Sequence, residues 1–358
     1  MNDGNYDTRC PSDNRGRLLA PDAREPEFIS KRKVTMHLKS IIILFLLISI
    51  ISANGQTTLK KQVQRPLIVK LGTIDCDLVE TTPVVFKGKL YRFEYVRIKY
   101  KANKTGDSYF RFIDHETGAA TPGFAKGFHL GSAFVSGDSV YVTGVDIWNG
   151  ETIQVFVSAD LQHWTSRVAL HLPGYGLFNT SLCKANDRYV LMFEVGKPAE
   201  EAGVRFTARF ATSKDLLHWK TTPRECAYSR DRYTAPHALR YLDGYYYDFY
   251  LEAFNGYETR VVRSRDLIHW QPSPLNPVLC ASDDDKKVAN PKLTAEQRRR
   301  IAEATNINNS DIDFCEFNGR LIINYSWGDQ KGTEFLAEAV YKGTLKEFLT
   351  GWFPSPPQ

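Results

Sequence analysis

The stretch Asn308-Asn309-Ser310-Asp311-Ile312-Asp313-Phe314 sets two carboxylates two residues apart on a strand-like run, which turns both to one face. Acidic residues alternating with Ile312 and Phe314 are odd for a strand buried on both sides. Carboxylates held close together push one pKa up, and an acid then works beside a base. A protonated carboxyl beside an ionised one is a general acid–base pair. The competing reading is that the pair caps a loop and is neutralised by Arg or Lys.

Other groups compete for the same role. Asp75 and Asp77 stand ahead of a strand that begins near Thr82, where a loop carboxylate serves chemistry or a surface contact equally well. Glu194, in Leu191-Met192-Phe193-Glu194, and Glu252, in Tyr250-Leu251-Glu252, each close an apolar run. A carboxyl in apolar surroundings keeps its proton, which suits a general acid; a salt bridge is the alternative. His237 follows Pro236 at the head of another strand and reads as an acid, a sugar ligand or a core histidine. Trp148, Trp327 and Tyr233 present flat rings for stacking on a sugar, or for packing.

What must position these groups is a repeat. Ser158-Ala159-Asp160-Leu161-Gln162-His163-Trp164 returns as Ser213-Lys214-Asp215-Leu216-Leu217-His218-Trp219 and as Ser264-Arg265-Asp266-Leu267-Ile268-His269-Trp270. Its tryptophans lie 55 and 51 residues apart, the mark of one supersecondary unit used repeatedly. Each copy follows a β-rich run, so Ser and Asp are expected to bond a turn while Leu and Trp pack. Hairpin signals run from Pro83 to Tyr91, Ser132 to Tyr141, Ser181 to Val190, Pro236 to Tyr247 and Asp313 to Ile323.

Five such hairpins interleaved with the turns predict an all-β chain of five four-stranded units, arranged radially as a five-bladed β-propeller. A helical insertion falls between blades four and five. There Asp283 to Lys287 reads as a polar loop, and Thr294 to Thr305 as a short helix with Thr294 as N-cap and Gln297 three residues on. The tail Gly343 to Leu349 with Trp352 reads as a degenerate turn that closes the ring. Counting eight residues back from Gly88, Asp187 and Gly319 gives Glu80, Asn179 and Asp311. Blades one and five are neighbours in a closed ring, so Glu80, Asp311 and Asp313 are expected to converge on the axis.

Composition bounds the rest. The chain is 42% hydrophobic and 24% charged, values of an ordinary globular protein. A net charge of +5, spread along the chain without a zinc-finger, helix-turn-helix or RNA-binding signature, gives no reason to expect nucleic acid. No Walker loop, Rossmann fingerprint, Gly-x-Ser-x-Gly or His-Glu-x-x-His is present. The six cysteines form no Cys-x-x-Cys pair, and at most two disulfides are expected. Residues 1–35 are polar and aperiodic, as in a disordered extension or one translated from a start codon upstream of the true one. Residues 36–55 combine a basic start, the apolar run Ile41 to Ile51 and the small residues Ala53 and Gly55, a secretory signal. The rival is an uncleaved anchor with Lys31-Arg32-Lys33 on the cytoplasmic side. Either way the protein is expected to be exported, secreted or periplasmic, with no stable span after cleavage.

The three Ser-x-Asp-Leu-x-x-Trp turns and the Pro-x-x-x-x-x-Gly-x-x-Tyr kind of hairpin resemble the five-bladed propeller superfamily of glycoside hydrolase families 43 and 32. The resemblance covers about residues 67–353. It implies an oligo- or polysaccharide substrate, and a base, a pKa-tuning carboxylate and an acid on the innermost strands. Where those families carry Asp-Pro in the first inner strand, this sequence reads Thr82-Pro83, which marks a divergent relative. Base and tuning roles then fall to Glu80 or Asp77 and to Asp311 or Asp313, with Glu252 or Glu194 as acid; His237, Asn179, Trp148, Trp327 and Tyr233 would hold sugar. No cofactor is expected; the likeness leaves room for a structural calcium in the channel, which no ligand loop identifies. A non-catalytic carbohydrate-binding propeller is the alternative, and a phosphorylase-like one, with Arg209 and Arg240 binding phosphate, is a third.

Overall fold

Five antiparallel sheets stand around one axis in a computed structural model that describes residues 65–97, 107–253 and 256–354. The signal-like segment and the extension before it lie outside the described residues. After β1 (Ile68–Cys76), blade one runs β2 (Thr82–Phe86), β3 (Lys89–Arg97) and β4 (Ser108–Asp114). Blade two is β5 (His129–Ser136), β6 (Ser139–Val145), β7 (Thr152–Ser158) and β8 (Thr165–His171). Blade three is β9 (Gly176–Ala185), β10 (Arg188–Lys197) and β11 (Thr207–Ser213), with its outer edge split into β12 (Lys220–Thr221) and β13 (Ala227–Tyr228). Blade four is β14 (Thr234–Leu242), β15 (Tyr245–Glu252), β16 (Glu258–Ser264) and β17 (Trp270–Pro272). Blade five is β18 (Asn308–Phe317), β19 (Arg320–Gly328) and β20 (Glu334–Lys342). The inner strands β2, β5, β9, β14 and β18 touch in sequence, and β18 returns to β2.

Two expectations are corrected. The sheets are not five equal four-stranded units, since blade one has three strands among the described residues. The tail does not close the ring either. β1 pairs antiparallel with β20 and supplies the fourth strand of blade five. The tail instead forms a helix, Leu345–Gly351, capped by Thr344 and anchored by buried Phe348, Leu349 and Trp352.

The repeated turn is structural in all three copies. Ser158 Oγ accepts from Leu161 N, and Asp160 Oδ1 accepts from Gln162 N and His163 N, each at 2.8 Å. Leu161, Leu216 and Leu267 sit at φ 62°, 64° and 64°, left-handed backbone that an L-residue adopts at a cost. Their buried side chains offset it. Two of the tryptophans visibly reach back to the preceding blade: Trp164 stacks on Phe124 at 3.8 Å, and Trp270 donates to Ala227 O at 3.0 Å.

Separate apolar clusters fill the five interfaces between blades, and the one between blades one and five has only Leu90, Ile322 and Val340 buried. The insertion adds a polar clamp on the blade-four side of blade five. Its helix, Ala295–Glu303, carries the expected capping box of Thr294 and Gln297. The segment expected as a polar loop is a 3₁₀ turn, Asp283–Lys286, and its Asp285 is fully buried. Asp285 pairs with Lys70 at 2.7 Å and accepts from Ser282 N, Asn306, Asn309 and Tyr325, tying β1, β18 and β19 together. The five described cysteines are free thiols.

Candidate active site

Four of the five inner strands carry an irregularity near the head, where two residues lack a ladder partner. The unpaired residues lie between His129 and Ser132, Leu177 and Thr180, Thr234 and His237, and Ser310 and Asp313. A bulge re-aims side chains, and here it turns backbone and side chains onto the axis. The residues eight before the second turn position are Glu80, Leu130, Asn179, Pro236 and Asp311, and all five line one pocket. Glu80, Leu130 and Asp311 share left-handed backbone at φ 50°, 53° and 52°. Three non-glycine residues in that region at equivalent places indicate strain held for a purpose.

The structure brings Glu80, Asp311, Asp313 and Asn179 together, with Glu194 behind Asn179. Burial pushes Glu80 up to about 7; Arg97, 3.8 Å away, pulls it down and the charge of Asp311 raises it again. Burial likewise raises Asp311, against hydrogen bonding from Ser310 and the nearby Arg97. Glu194 is fully buried on β10, accepts from Asn179 Nδ2 at 3.0 Å, and is driven by burial up to about 8. The arrangement offers one carboxyl, Glu194, that is protonated near neutrality, beside a second, Glu80, that titrates around there next to the Asp311 charge.

Asp313 lines the same pocket, but its carboxylate is taken by Arg240 and by Phe314 N. Tyr233, half-buried before β14, has its phenol raised by burial and then by Glu194, Asp311 and Glu80, so it stands within their field. Trp148 is half-buried with its ring edge-on to Phe178, one residue from Asn179.

Other candidates are placed elsewhere. Asp77 forms a two-point ion pair with Arg300 on the insertion helix and does not reach the pocket. Asp75 accepts from Cys76 N on the outer strand of blade five. Glu252 is engaged by Tyr250 OH and lies between Arg232 and Arg260, at 3.5 and 3.6 Å. His237 does line the pocket, beside Glu194, but both its ring nitrogens are taken, by Asp248 at 2.8 Å and by Thr234 O. Trp327 is fully buried and donates to Thr73 Oγ1, which leaves no ring face for a sugar. Arg209 is committed to Glu201 and Arg240 to Asp313, so neither forms an open phosphate cradle. Among the described residues no group of three or more His, Cys, Asp or Glu is arranged to hold a metal.

Sequence reasoning missed Arg97 and Glu334. Arg97 sits at the end of the strand paired with β2, and only the folded register brings it to Glu80. Glu334 heads β20 with 2% exposure, and its signal, a lone acid after a Gly-Thr turn, looks like any surface residue.

No family model matches the sequence, and no curated protein matches it. Solved structures do. A BT0996 complex with RGII superposes with a TM-score of 0.52 at 12% identity, over 76% of this protein and 92% of the other. A thermostable family-43 glycoside hydrolase gives 0.52 at 12% identity, over 80% and 97%. The α-L-arabinofuranosidase Arb93A from Fusarium graminearum, in complex with an iminosugar inhibitor, gives 0.50 at 11%, over 78% and 98%. At such identities the likeness is one of fold: this protein is a five-bladed β-propeller of the architecture used by glycoside hydrolases of the family-43 type.

Proposed function

We propose that the protein is a glycoside hydrolase working in the axial pocket. Glu194 is the general acid, Glu80 the general base or nucleophile, and Asp311 the carboxylate that tunes Glu80. The observation that carries this reading is the meeting of Glu80 and Asp311, from the first and last blades, in one pocket with Glu194 beside it. Near neutral pH Glu194 holds a proton to give to a leaving oxygen. Glu80, steadied as an anion by Arg97 and opposed by Asp311, is poised to lose its own.

Asn179 fixes the acid by donating to it, and Tyr233, close to the three carboxylates, and Trp148, against Phe178, are the rings assigned to sugar contact. The fold neighbours support the substrate class, one being an RGII complex and another an arabinofuranosidase with an iminosugar inhibitor. Residues 36–55 support export. Among the described residues no helix is long and apolar enough to cross a membrane.

The test is incubation of the purified protein with a panel of arabino-, xylo- and pectin-derived oligosaccharides, followed by chromatography of the products. Release of a terminal monosaccharide is expected. Binding with the sugar recovered intact would assign the pocket to the carbohydrate-binding alternative, and release only with inorganic phosphate to the phosphorylase one.

A further inference from the structure

Two buried oxygens at the heads of β18 and β20 lack hydrogen-bond partners, and one proton would serve both. Glu334, 2% exposed, accepts from Gln330 N through Oε1 at 3.2 Å, while its Oε2 has none. Asn308, fully buried, gives its Nδ2 to Ser310 Oγ at 3.1 Å, while its Oδ1 has none. Two buried acceptors left bare cost free energy that a single O–H between them recovers. The Ser310 hydroxyl in turn donates to Asp311 Oδ2.

We propose that Glu334 rests as a neutral acid donating to Asn308, and so completes a buried polar line, Glu334–Asn308–Ser310–Asp311, that sets how tightly Asp311 holds its proton. The charged groups facing Glu334 are Asp311 from β18 and Asp329 from the turn before β20, both acidic. Burial, followed by the Asp311 charge, raises its carboxyl to about 8, while Gln330 N and the Asn308 side chain, both within hydrogen-bonding reach, pull it down. Behind it the β19 backbone is bare, since a Cβ on Gly328 would meet Glu334 Oε2 at 2.9 Å. A neutral Glu334 turns the Asn308 amide so that its N–H points to Ser310, and Ser310 then offers its proton to Asp311. Glu334 is thus a positioning residue that acts through two others; its bearing on catalysis rests on the hydrolase reading, and its protonation does not.

Carbon-13 NMR of the full-length protein with labelled Asp and Glu carboxyls tests this without any assay of activity. The Glu334 signal is identified by its loss in Glu334→Gln, or in Glu334→Asp if the amide variant folds poorly. At pH 6.5 it is expected at the protonated position, ionising only near pH 8. An ionised signal at pH 6.5 overturns the proposal. In Ser310→Ala the Asp311 carboxyl loses a donor to its anion, so its titration is expected to move to higher pH. An unmoved Asp311 titration breaks the line and overturns it as well. Failure here leaves the hydrolase reading standing, and inactivity of the protein leaves the carboxyl titrations readable.

Discussion

Glu80 and Asp311 occupy the same position in the two blades that flank the closure of the ring, each on left-handed backbone at φ 50° and 52°. They face each other across the interface with the smallest buried apolar cluster. The acidic pocket therefore sits where hydrophobic packing is thinnest. The Lys70–Asp285 clamp lies on the far side of blade five, where it ties β1, β18 and β19 to the insertion by charge and hydrogen bonds.

Glu194→Gln removes the proposed acid while keeping the hydrogen bond from Asn179 within reach. Loss of a general acid costs about 10²–10⁴-fold. Turnover of sugars with a poor leaving group should fall by that much, and aryl glycosides with an activated leaving group should be spared. The alkaline limb of kcat/KM near pH 8 should disappear on those activated substrates. Equal loss on both substrate types speaks against Glu194 as the acid.

The same residue links stability to pH. Its carboxyl titrates near 8 in the folded protein against an ordinary value of 4.5, so the folded state holds the proton more tightly. Glu194 therefore costs nothing below about pH 4.5, and destabilises progressively as pH rises towards 8. Calorimetry of Glu194→Gln should show a Tm gain of roughly 5 °C at about pH 8.5, shrinking to none near pH 4.5. A gain independent of pH contradicts the assignment.

Much of the fold is legible in the sequence. Hairpins such as Asp313 to Ile323 and the turn copies are local, and local rules place them. The register of Glu80, Asn179 and Asp311 follows from counting back from turns, because a strand alternates faces and a hairpin fixes its offset. What is not legible depends on contacts between distant segments. Asp77 and Glu252 look as acidic as Glu80 in sequence, and only the fold supplies Arg300 to one and Arg232 and Arg260 to the other. Closure by β1 is hidden for the same reason: its partner β20 lies at the opposite end of the propeller in sequence.

The repeated turn yields a contrast between adjacent residues. Trp270 bridges blades three and four, whereas the His269 ring, 85% exposed, pairs with Asp266 within its own turn. Trp270→Ala should cost about 3 kcal/mol in urea unfolding, the loss of a packed aromatic. His269→Ala should leave stability and activity within error. A costly His269→Ala would show that the turn carries more than packing.

Asp285→Ala strands Lys70, whose side chain is 10% exposed, without its counter-charge. Breaking a buried pair from one side costs about 3–5 kcal/mol, visible as a lower denaturation midpoint. Asp77→Asn opens an ion pair that is partly exposed on both sides, so both stability and turnover should stay near wild type. Loss of activity in Asp77→Asn with folding intact would return Asp77 to the site.

The most direct measurement is the steady-state rate of monosaccharide release by wild type, Glu80→Gln and Asp311→Asn on one oligosaccharide, with Tm recorded for each. The expected result is turnover by wild type, a loss of about 10³-fold or more in each variant, and melting temperatures unchanged or higher, because each change removes a like charge from a buried pair. Full activity in either variant, or no cleavage of any sugar by wild type, would contradict a propeller that cuts glycosidic bonds at its axis.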